Sequence, residues 1–140
     1  MSAHLVRVKQ PAVSGNLNTL VAGTTTGGTA IETRLCKPGS LSALFTVDAE
    51  TNTITISCLW QVSDDNSTWY DLLPQNGAAI VAQATGTAGA DASVSAALSC
   101  PDSAEGWVYA RPAVRNGVAT GTTSDTYSIQ AHYTKRPFEF

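Results

Sequence analysis

Histidines are the side chains whose ordinary pKa lies closest to neutrality, so acid–base catalysis would draw on them first. The chain has two. His4 falls in a leading segment broken by proline and glycine, and His132 falls on the polar side of an alternating apolar run. Neither belongs to a GxSxG or HExxH motif, or to an HxE motif with a following cysteine pair. We therefore expect no catalytic residue, no bound cofactor and a protein that is not an enzyme.

Oxygen ligands that could hold a metal ion cluster in the run Asp64-Asp65-Asn66. Calcium prefers such carboxylate and carbonyl oxygens, but this run lacks the alternating Asp-x-Asp-x-Asn spacing and the downstream Glu of a calcium loop. Asp and Asn also close hairpin turns by bonding their own backbone, and we favour that interpretation over a metal site. The three cysteines form no CxxC pair, so the sequence indicates neither a zinc site nor a disulfide framework.

Aromatic side chains offer a third kind of chemistry, which is stacking on sugar rings. Trp69 and Tyr70 are adjacent on a predicted strand, so their side chains must point to opposite faces and one of them is exposed or covered by a partner. Trp60 falls on an apolar strand face and is assigned to the core. Trp69 and Tyr70 are therefore a candidate aromatic contact, either for a carbohydrate or for another protein.

Strands must position these residues. The clearest strand spans 53–63, where every second residue is apolar and the alternate ones are mostly polar. A partner strand is predicted over 41–47, a chain reversal at 64–67 and a further strand over 68–72. Later strands are predicted at 107–111 and 126–134, with weaker Ala-rich strands at 78–84 and 93–98.

Six to eight short strands separated by Gly, Asn, Asp and Thr turns are typical of an antiparallel β-sandwich, here jelly-roll-like. We predict an all-β domain over 41–134, an extended N-terminal arm over 1–40 and a C-terminal tail over 135–140. The arm has no long periodic run and is interrupted by glycine and proline, so we expect it to become ordered only on contact with other proteins. The predicted core consists of Ile54, Ile56, Cys58, Trp60, Val62, Trp107, Tyr109, Tyr127, Ile129 and Tyr133.

Charge is unevenly distributed along this chain of 140 residues, whose net charge is -3. Residues 38–134 have a net charge of -7, residues 1–37 of +3 and residues 135–140 of +1. Nucleic-acid binding draws on clustered Lys and Arg, so the acidic body argues against a nucleic-acid partner. The basic ends either reach a neighbouring acidic surface or are ordinary solvated side chains.

Membrane and export signals are lacking in the sequence. No apolar run reaches the roughly 18 residues of a membrane span, and the first residues lack the apolar core of a signal peptide. We therefore expect no membrane partner and synthesis in the cytoplasm.

The run from Leu59 to Leu72 reads LWQVSDDNSTWYDL. It resembles the WQVSDDGSTWxDL hairpin of β-sandwich structural proteins in tailed bacteriophages, and the stretches 107–118 and 125–129 are similar to the same group. Over about residues 41–134 the chain resembles small head decoration proteins, also called cement proteins. Residues 1–40 have no counterpart in this resemblance.

The resemblance implies a non-enzymatic virion protein that docks on the outer surface of the capsid and bridges neighbouring subunits of the major capsid protein. We also expect self-association, with a dimer preferred over a trimer. The alternative function is a carbohydrate- or receptor-binding module of the virion surface or tail, which would use Trp69 and Tyr70. The expected capsid contacts are apolar and basic residues near both ends of the chain, namely Leu5, Val6, Arg7, Val8, Lys9, Lys135, Arg136, Phe138 and Phe140.

Overall fold

A computed structural model describes residues 6–16, 25–49, 53–72, 80–85, 92–116 and 126–136. These residues form short and medium strands joined by turns, and they include two 3-10 turns, at Thr33–Leu35 and Asp102–Gly106. The strands are β1 Arg7–Lys9, β2 Val13–Asn16, β3 Thr25–Gly27, β4 Ile31–Glu32, β5 Ser42–Ala49, β6 Thr53–Ser63, β7 Tyr70–Leu72, β8 Ile80–Thr85, β9 Ala92–Ser99, β10 Tyr109–Asn116 and β11 Thr126–Thr134.

The strands form two antiparallel sheets. The first sheet has the order β1-β11-β5-β9, and β2 also pairs with β11. The second sheet has the order β3-β10-β6-β7, with β4 on β10 and β8 on β6. The predicted all-β antiparallel sandwich is confirmed, and the weak Ala-rich segments are strands β8 and β9.

The core lies between the two sheets and is built by period-two alternation. Along β11, residues that point inward are buried and those between them are half-buried. The predicted core residues Cys58, Trp60, Val62, Tyr127, Ile129 and Tyr133 are all buried. Trp107 and Tyr109 are half-buried, and the side chains of Ile54 and Ile56 lie outside the described part of the structure. The core also contains residues outside the predicted set, among them Ile31, Phe45 and Val47.

Over residues 58–63, strand β6 is buried on both faces, whereas its sequence pattern predicts one dry face. Leu59, Gln61 and Ser63 point away from the core, yet they are 3%, 6% and 0% exposed. The polar Gln61 is held there by hydrogen bonds with Asp71 of β7 and Arg111 of β10.

In its described part, the leading segment is more ordered in the isolated chain than its sequence predicts. Its described residues are extended, but they pair with strands of the same chain: β1 and β2 with β11, and β3 and β4 with β10. Gln10 N–H donates to Ala131 O at 2.8 Å, and Gly28 N–H donates to Pro112 O at 2.7 Å. The expectation that this segment gains order only from another protein is therefore wrong for its described residues, because its backbone groups are already bonded within the two sheets.

Pro112 donates no ladder hydrogen bond, and proline is therefore usually confined to edge strands or bulges. It lies in β10, which has neighbours on both sides. On one side, β4 pairs with Tyr109 and Ala110, and β3 pairs with residues 113–115. Pro112 thus falls in the gap between two short partner strands, where a missing N–H is tolerated.

Trp60 joins the two sheets across the core. It is 1% exposed, and its indole N–H donates to Leu98 O in β9 of the first sheet at 3.1 Å. A buried Trp side chain stabilises a fold through the apolar surface that it buries and through the hydrogen bond of its indole N–H.

Replacing Trp60 by Phe should lower the free energy of unfolding by about 1–3 kcal/mol, because the variant loses the bond to Leu98 and part of the buried ring. Urea denaturation followed by far-UV circular dichroism measures this. The matched control is Trp107→Phe, at a half-buried ring, with a smaller expected loss. Equal stability of Trp60→Phe and the original chain would show that the indole bond does not hold the sheets together.

Candidate functional site

Among the residues that the structure describes, the contacts predicted near the two ends of the chain lie side by side. Arg7 of β1 is opposite Thr134 of β11, and Lys135 N–H donates to Val6 O at 2.7 Å. We call Val6, Arg7, Lys9, Lys135 and Arg136 the terminal strip. All five are exposed. The strip therefore combines four cations with one apolar side chain.

The other predicted contacts of this group differ in their placement. Val8 is half-buried and packs against the core, so it anchors β1 to the sheet. Leu5, Phe138 and Phe140 lie outside the described residues. Arg136 N–H donates to Leu35 O at 2.8 Å, and its Nε donates to Cys36 O at 3.2 Å, so this residue is fixed against the leading segment.

Electrostatics at the terminal strip affect His132, which lies opposite Lys9. The Arg7 guanidinium contacts Nδ1 of His132 and also bonds Thr134 Oγ1 at 3.4 Å. Burial lowers the pKa of His132, and the positive charges of Arg7 and Lys9 lower it further. A neutral imidazole can accept from Arg7, whereas a protonated one would repel it. Within the described ranges, no carboxylate forms an ion pair with a cation of the strip.

A second group of polar residues lies on the outer face of the second sheet. Arg115 Nη2 donates to both carboxylate oxygens of Asp71 at 3.1 and 2.9 Å, and its Nε donates to Thr25 Oγ1 at 2.8 Å. Gln61 Nε2 donates to Asp71 Oδ1 at 3.0 Å, and Arg111 Nε donates to Gln61 Oε1 at 3.0 Å. These bonds run from β3 across β10 and β6 to β7.

Cross-strand register makes this network possible. Gln61 lies opposite Arg111 on one side and Asp71 on the other, so the three side chains share a face. Burial raises the pKa of Asp71, but the hydrogen bonds from Gln61 and Arg115 and the charge of Arg115 outweigh it, so the pKa lies below its ordinary value. The Arg111 side chain crosses β3 at Gly27, where a Cβ atom would collide with it.

The neighbouring residues Trp69 and Tyr70 meet different partners. Cζ of Arg111 lies 4.2 Å from the ring centroid of Trp69, which is half-buried. Tyr70 is 53% exposed, and its ring centroid lies 5.5 Å from that of Trp107. The sequence left open which of the two is exposed, and the structure shows that it is Tyr70.

The Asp64-Asp65-Asn66 run closes the connection between β6 and β7. Asp65 Oδ1 accepts from Thr68 N–H at 2.8 Å, from Ser67 N–H at 2.9 Å and from Ser63 Oγ at 2.9 Å. The hydrogen bonds from Thr68, Ser67 and Ser63 lower the pKa of Asp65 to about 2. One carboxylate oxygen is thus used by the turn, as the Asx interpretation predicts. The described residues contain no group of three or more His, Cys, Asp or Glu that could hold a metal ion.

The cysteines are buried thiols. Burial raises the pKa of Cys58 and of Cys100 to about 12 and that of Cys36 to about 11, although the charge of Arg136 lowers the last slightly. Such thiols stay protonated at neutral pH and are weak nucleophiles. Cys36 and Cys100 line one small cavity together with Asp102 and Glu105.

Comparison with known proteins identifies no family. No family model matches the chain, and no curated protein matches its sequence. Among solved structures, it is similar to a pilus protein of Bacillus endospore appendages, described as a novel family of disulfide-linked pili. The TM-score is 0.37 at 13% identity, covering 94% of this chain and 91% of that one.

Two further solved structures give lower TM-scores. A family 16 carbohydrate-binding module gives a TM-score of 0.30 at 13% identity, covering 84% of this chain and 70% of that one. A chain of infectious bursal disease virus, Gx strain, gives 0.23 at 12% identity, covering 96% of this chain and 42% of that one. These TM-scores are low, so the likenesses carry no argument about function. The two-sheet fold itself is compatible with a structural or binding β-module. Within the described residues there is no helix long and apolar enough to span a membrane.

The lowered pKa of His132 makes stability depend on pH near neutrality. As the pH falls through the ordinary value of 6.5, the unfolded chain takes up the proton before the folded chain does, so the free energy of unfolding should fall. Urea titrations at several pH values between about 8 and 5 measure this. In His132→Gln, which does not titrate, the profile should be flatter over this interval, and an unchanged profile would contradict the assignment.

Asp65 should make the stability of the protein depend on pH in a separate, more acidic interval. Its folded pKa of about 2 lies below the ordinary 3.8, so its stabilising effect is present above 3.8 and is lost as the pH falls toward 2. Asp65→Asn keeps an acceptor but removes the titration, and its stability should therefore depend less on pH in that interval. Parallel acid-denaturation curves of the two proteins, which should separate at neutral pH and converge toward pH 2, provide the measurement.

Proposed function

We propose that the protein is a structural virion protein of a tailed bacteriophage, located on the outer surface of the capsid, where it bridges neighbouring subunits of the major capsid protein. The resemblance of the 59–72 hairpin to head decoration proteins supports this, and so does the two-sheet fold. No chemical step is involved, because the role requires only binding.

The observation that carries the proposal is the terminal strip. Two segments from opposite ends of the chain meet at one edge of the first sheet and expose four cations on a protein whose net charge is -3. A local cationic surface on an acidic protein favours an acidic partner surface and opposes docking in other orientations. Val6, at 50% exposure, adds an apolar contact.

Edge geometry gives the strip a second means of attachment. Strand β1 is one of the edge strands of the first sheet in the described residues. The outward backbone groups of an edge strand can pair with an extended segment of a partner. Internal pressure pulls capsid subunits apart, and repeated copies of a clamp gain from multivalency even when each contact is weak. Self-association, with a dimer preferred over a trimer, belongs to the same proposal.

Neutralising two cations of the strip tests the proposal. In co-sedimentation with capsids, Arg7→Gln combined with Lys135→Gln should reduce occupancy by about tenfold, because each lost charge weakens attraction to the acidic surface. The matched control, Ser95→Glu with Ala97→Glu, changes the net charge equally on the exposed face of β9 and should bind nearly as the original chain does.

Each outcome of this assay has a distinct meaning. Failure of the unmodified protein to sediment with capsids would remove the decoration function, and equal losses in both double variants would remove the specific role of the strip. Deleting residues 2–37 would be a poorer test, because it removes β1 to β4 from both sheets and unfolding would mimic lost docking.

A carbohydrate- or receptor-binding module is the alternative proposal, and the exposure of Tyr70 beside Trp69 favours it. Binding of glycans by the unmodified protein, lost in Tyr70→Ala while capsid occupancy stays unchanged, would support this alternative over capsid bridging.

A further inference from the structure

A protein that bridges two subunits needs two contact surfaces, and the terminal strip supplies one. We propose that Arg111, presented between Trp69 and Gln61 on the outer face of the second sheet, binds an aspartate or glutamate side chain of a second shell subunit. This inference rests on the proposed function and names the chemistry of its second contact. We call Trp69, Tyr70, Trp107 and Arg111 the arginine–aromatic surface.

The guanidinium of Arg111 is held in place by two uncharged groups. The ring of Trp69 lies against it, and its Nε–H bonds Gln61 Oε1 at 3.0 Å. No carboxylate among the described residues pairs with it. A guanidinium has five N–H donors in a planar fork, and the edge formed by its Nη groups matches the two oxygens of a carboxylate. Ordering by stacking reduces the entropy lost when such a ligand binds.

Arg115 lies on the same face, and its charge is neutralised by a carboxylate. It lies four residues further along β10, and its Nη2 contacts both oxygens of Asp71. The relative exposure of these two side chains is 36% and 35%. Asp71 therefore stabilises Arg115 within the fold, whereas the hydrogen-bond acceptor of Arg111 is the neutral amide oxygen of Gln61. The partial burial of Arg111 also lowers its pKa.

The surroundings of Arg111 favour a protein ligand over a sugar. One face of the Trp69 ring is already occupied by the guanidinium, and the Tyr70 ring is tilted by 40° against Trp107. A sugar platform needs open ring faces. Trp, Tyr and Arg grouped at a partly exposed position are the residue types that dominate protein–protein contacts. A carboxylate from a partner protein, flanked by apolar groups, fits this composition.

The two surfaces lie on different sheets. The terminal strip belongs to β1 and the end of β11 in the first sheet, and Arg111 belongs to β10 in the second. Both are cationic, so both select acidic partner surfaces. One sandwich can therefore contact two shell subunits at once, which is the geometry that bridging requires.

Carboxylate binding can be tested on the isolated protein by nuclear magnetic resonance. Blocked glutamate, N-acetyl-glutamate amide, is titrated into the full-length protein while the Trp69 indole and Arg111 Nε–H signals are followed. We expect a saturable shift with blocked glutamate and none with blocked glutamine at equal concentration. In Arg111→Lys, which keeps the charge but lacks the planar fork, the response at Trp69 should be lost.

Other results of the titration would overturn the inference. Equal shifts with blocked glutamate and blocked glutamine would exclude carboxylate recognition. A larger, saturable shift with glucose or another neutral sugar would instead assign the arginine–aromatic surface to carbohydrate. An unchanged response in Arg111→Lys would place the ligand elsewhere.

Capsid co-sedimentation separates this inference from the proposed function. Arg111→Gln should lower occupancy by about tenfold and Arg111→Lys by several-fold, with unchanged circular dichroism spectra. Arg34→Gln is the control, because it removes one charge from an exposed arginine already paired with Glu32 at 3.0 Å. If the original chain binds and both Arg111 variants bind equally well, the inference fails and the proposed function stands. If the original chain does not bind capsids, the proposed function fails, and the titration still decides whether Arg111 recognises carboxylates.

Discussion

Backbone pairing of the leading segment with β10 and β11 is the constraint on which the rest of the molecule depends. Without β1 to β4, each of those strands would present an unpaired edge, which proteins usually protect or use for binding. The same pairing brings Val6 beside Lys135 and thereby creates the terminal strip. It also places Thr25 next to Arg115, so the leading segment completes the polar network on the opposite sheet. Stability and candidate function thus use the same strands.

Two arginines on the outer face of the second sheet have different roles, one in the stability of the fold and one in the proposed binding. Asp71 accepts bonds from Gln61 and Arg115 and keeps its negative charge, so Arg115 is neutralised within the fold. Arg111 lies in the same strand and is packed against Trp69 but has no such partner within the described ranges. A buried or half-buried cation without a counter-charge reduces stability. A role in binding gives a physical reason for retaining it.

The sequence predicted features that depend on local periodicity. The alternation in 53–63 and 126–134 located β6 and β11, and the Asp65 turn followed from its residue types. The placement of the leading segment was not predictable in this way, because strands of two to four residues have no measurable period and pair with residues about 100 positions away. The Arg111–Gln61–Asp71 row depends on the register of three strands, which no single segment encodes. The cationic ends were visible in the sequence, but their meeting at one edge was not.

In the proposed arrangement, one sandwich contacts two shell subunits through two different surfaces. An electron cryomicroscopy reconstruction of capsids saturated with the protein tests it most directly. We expect density for the sandwich across a boundary between subunits, with the terminal strip against an acidic surface of one subunit and Arg111 against a carboxylate of the other. A sandwich seated on a single subunit, or one with both surfaces facing solvent, would contradict it.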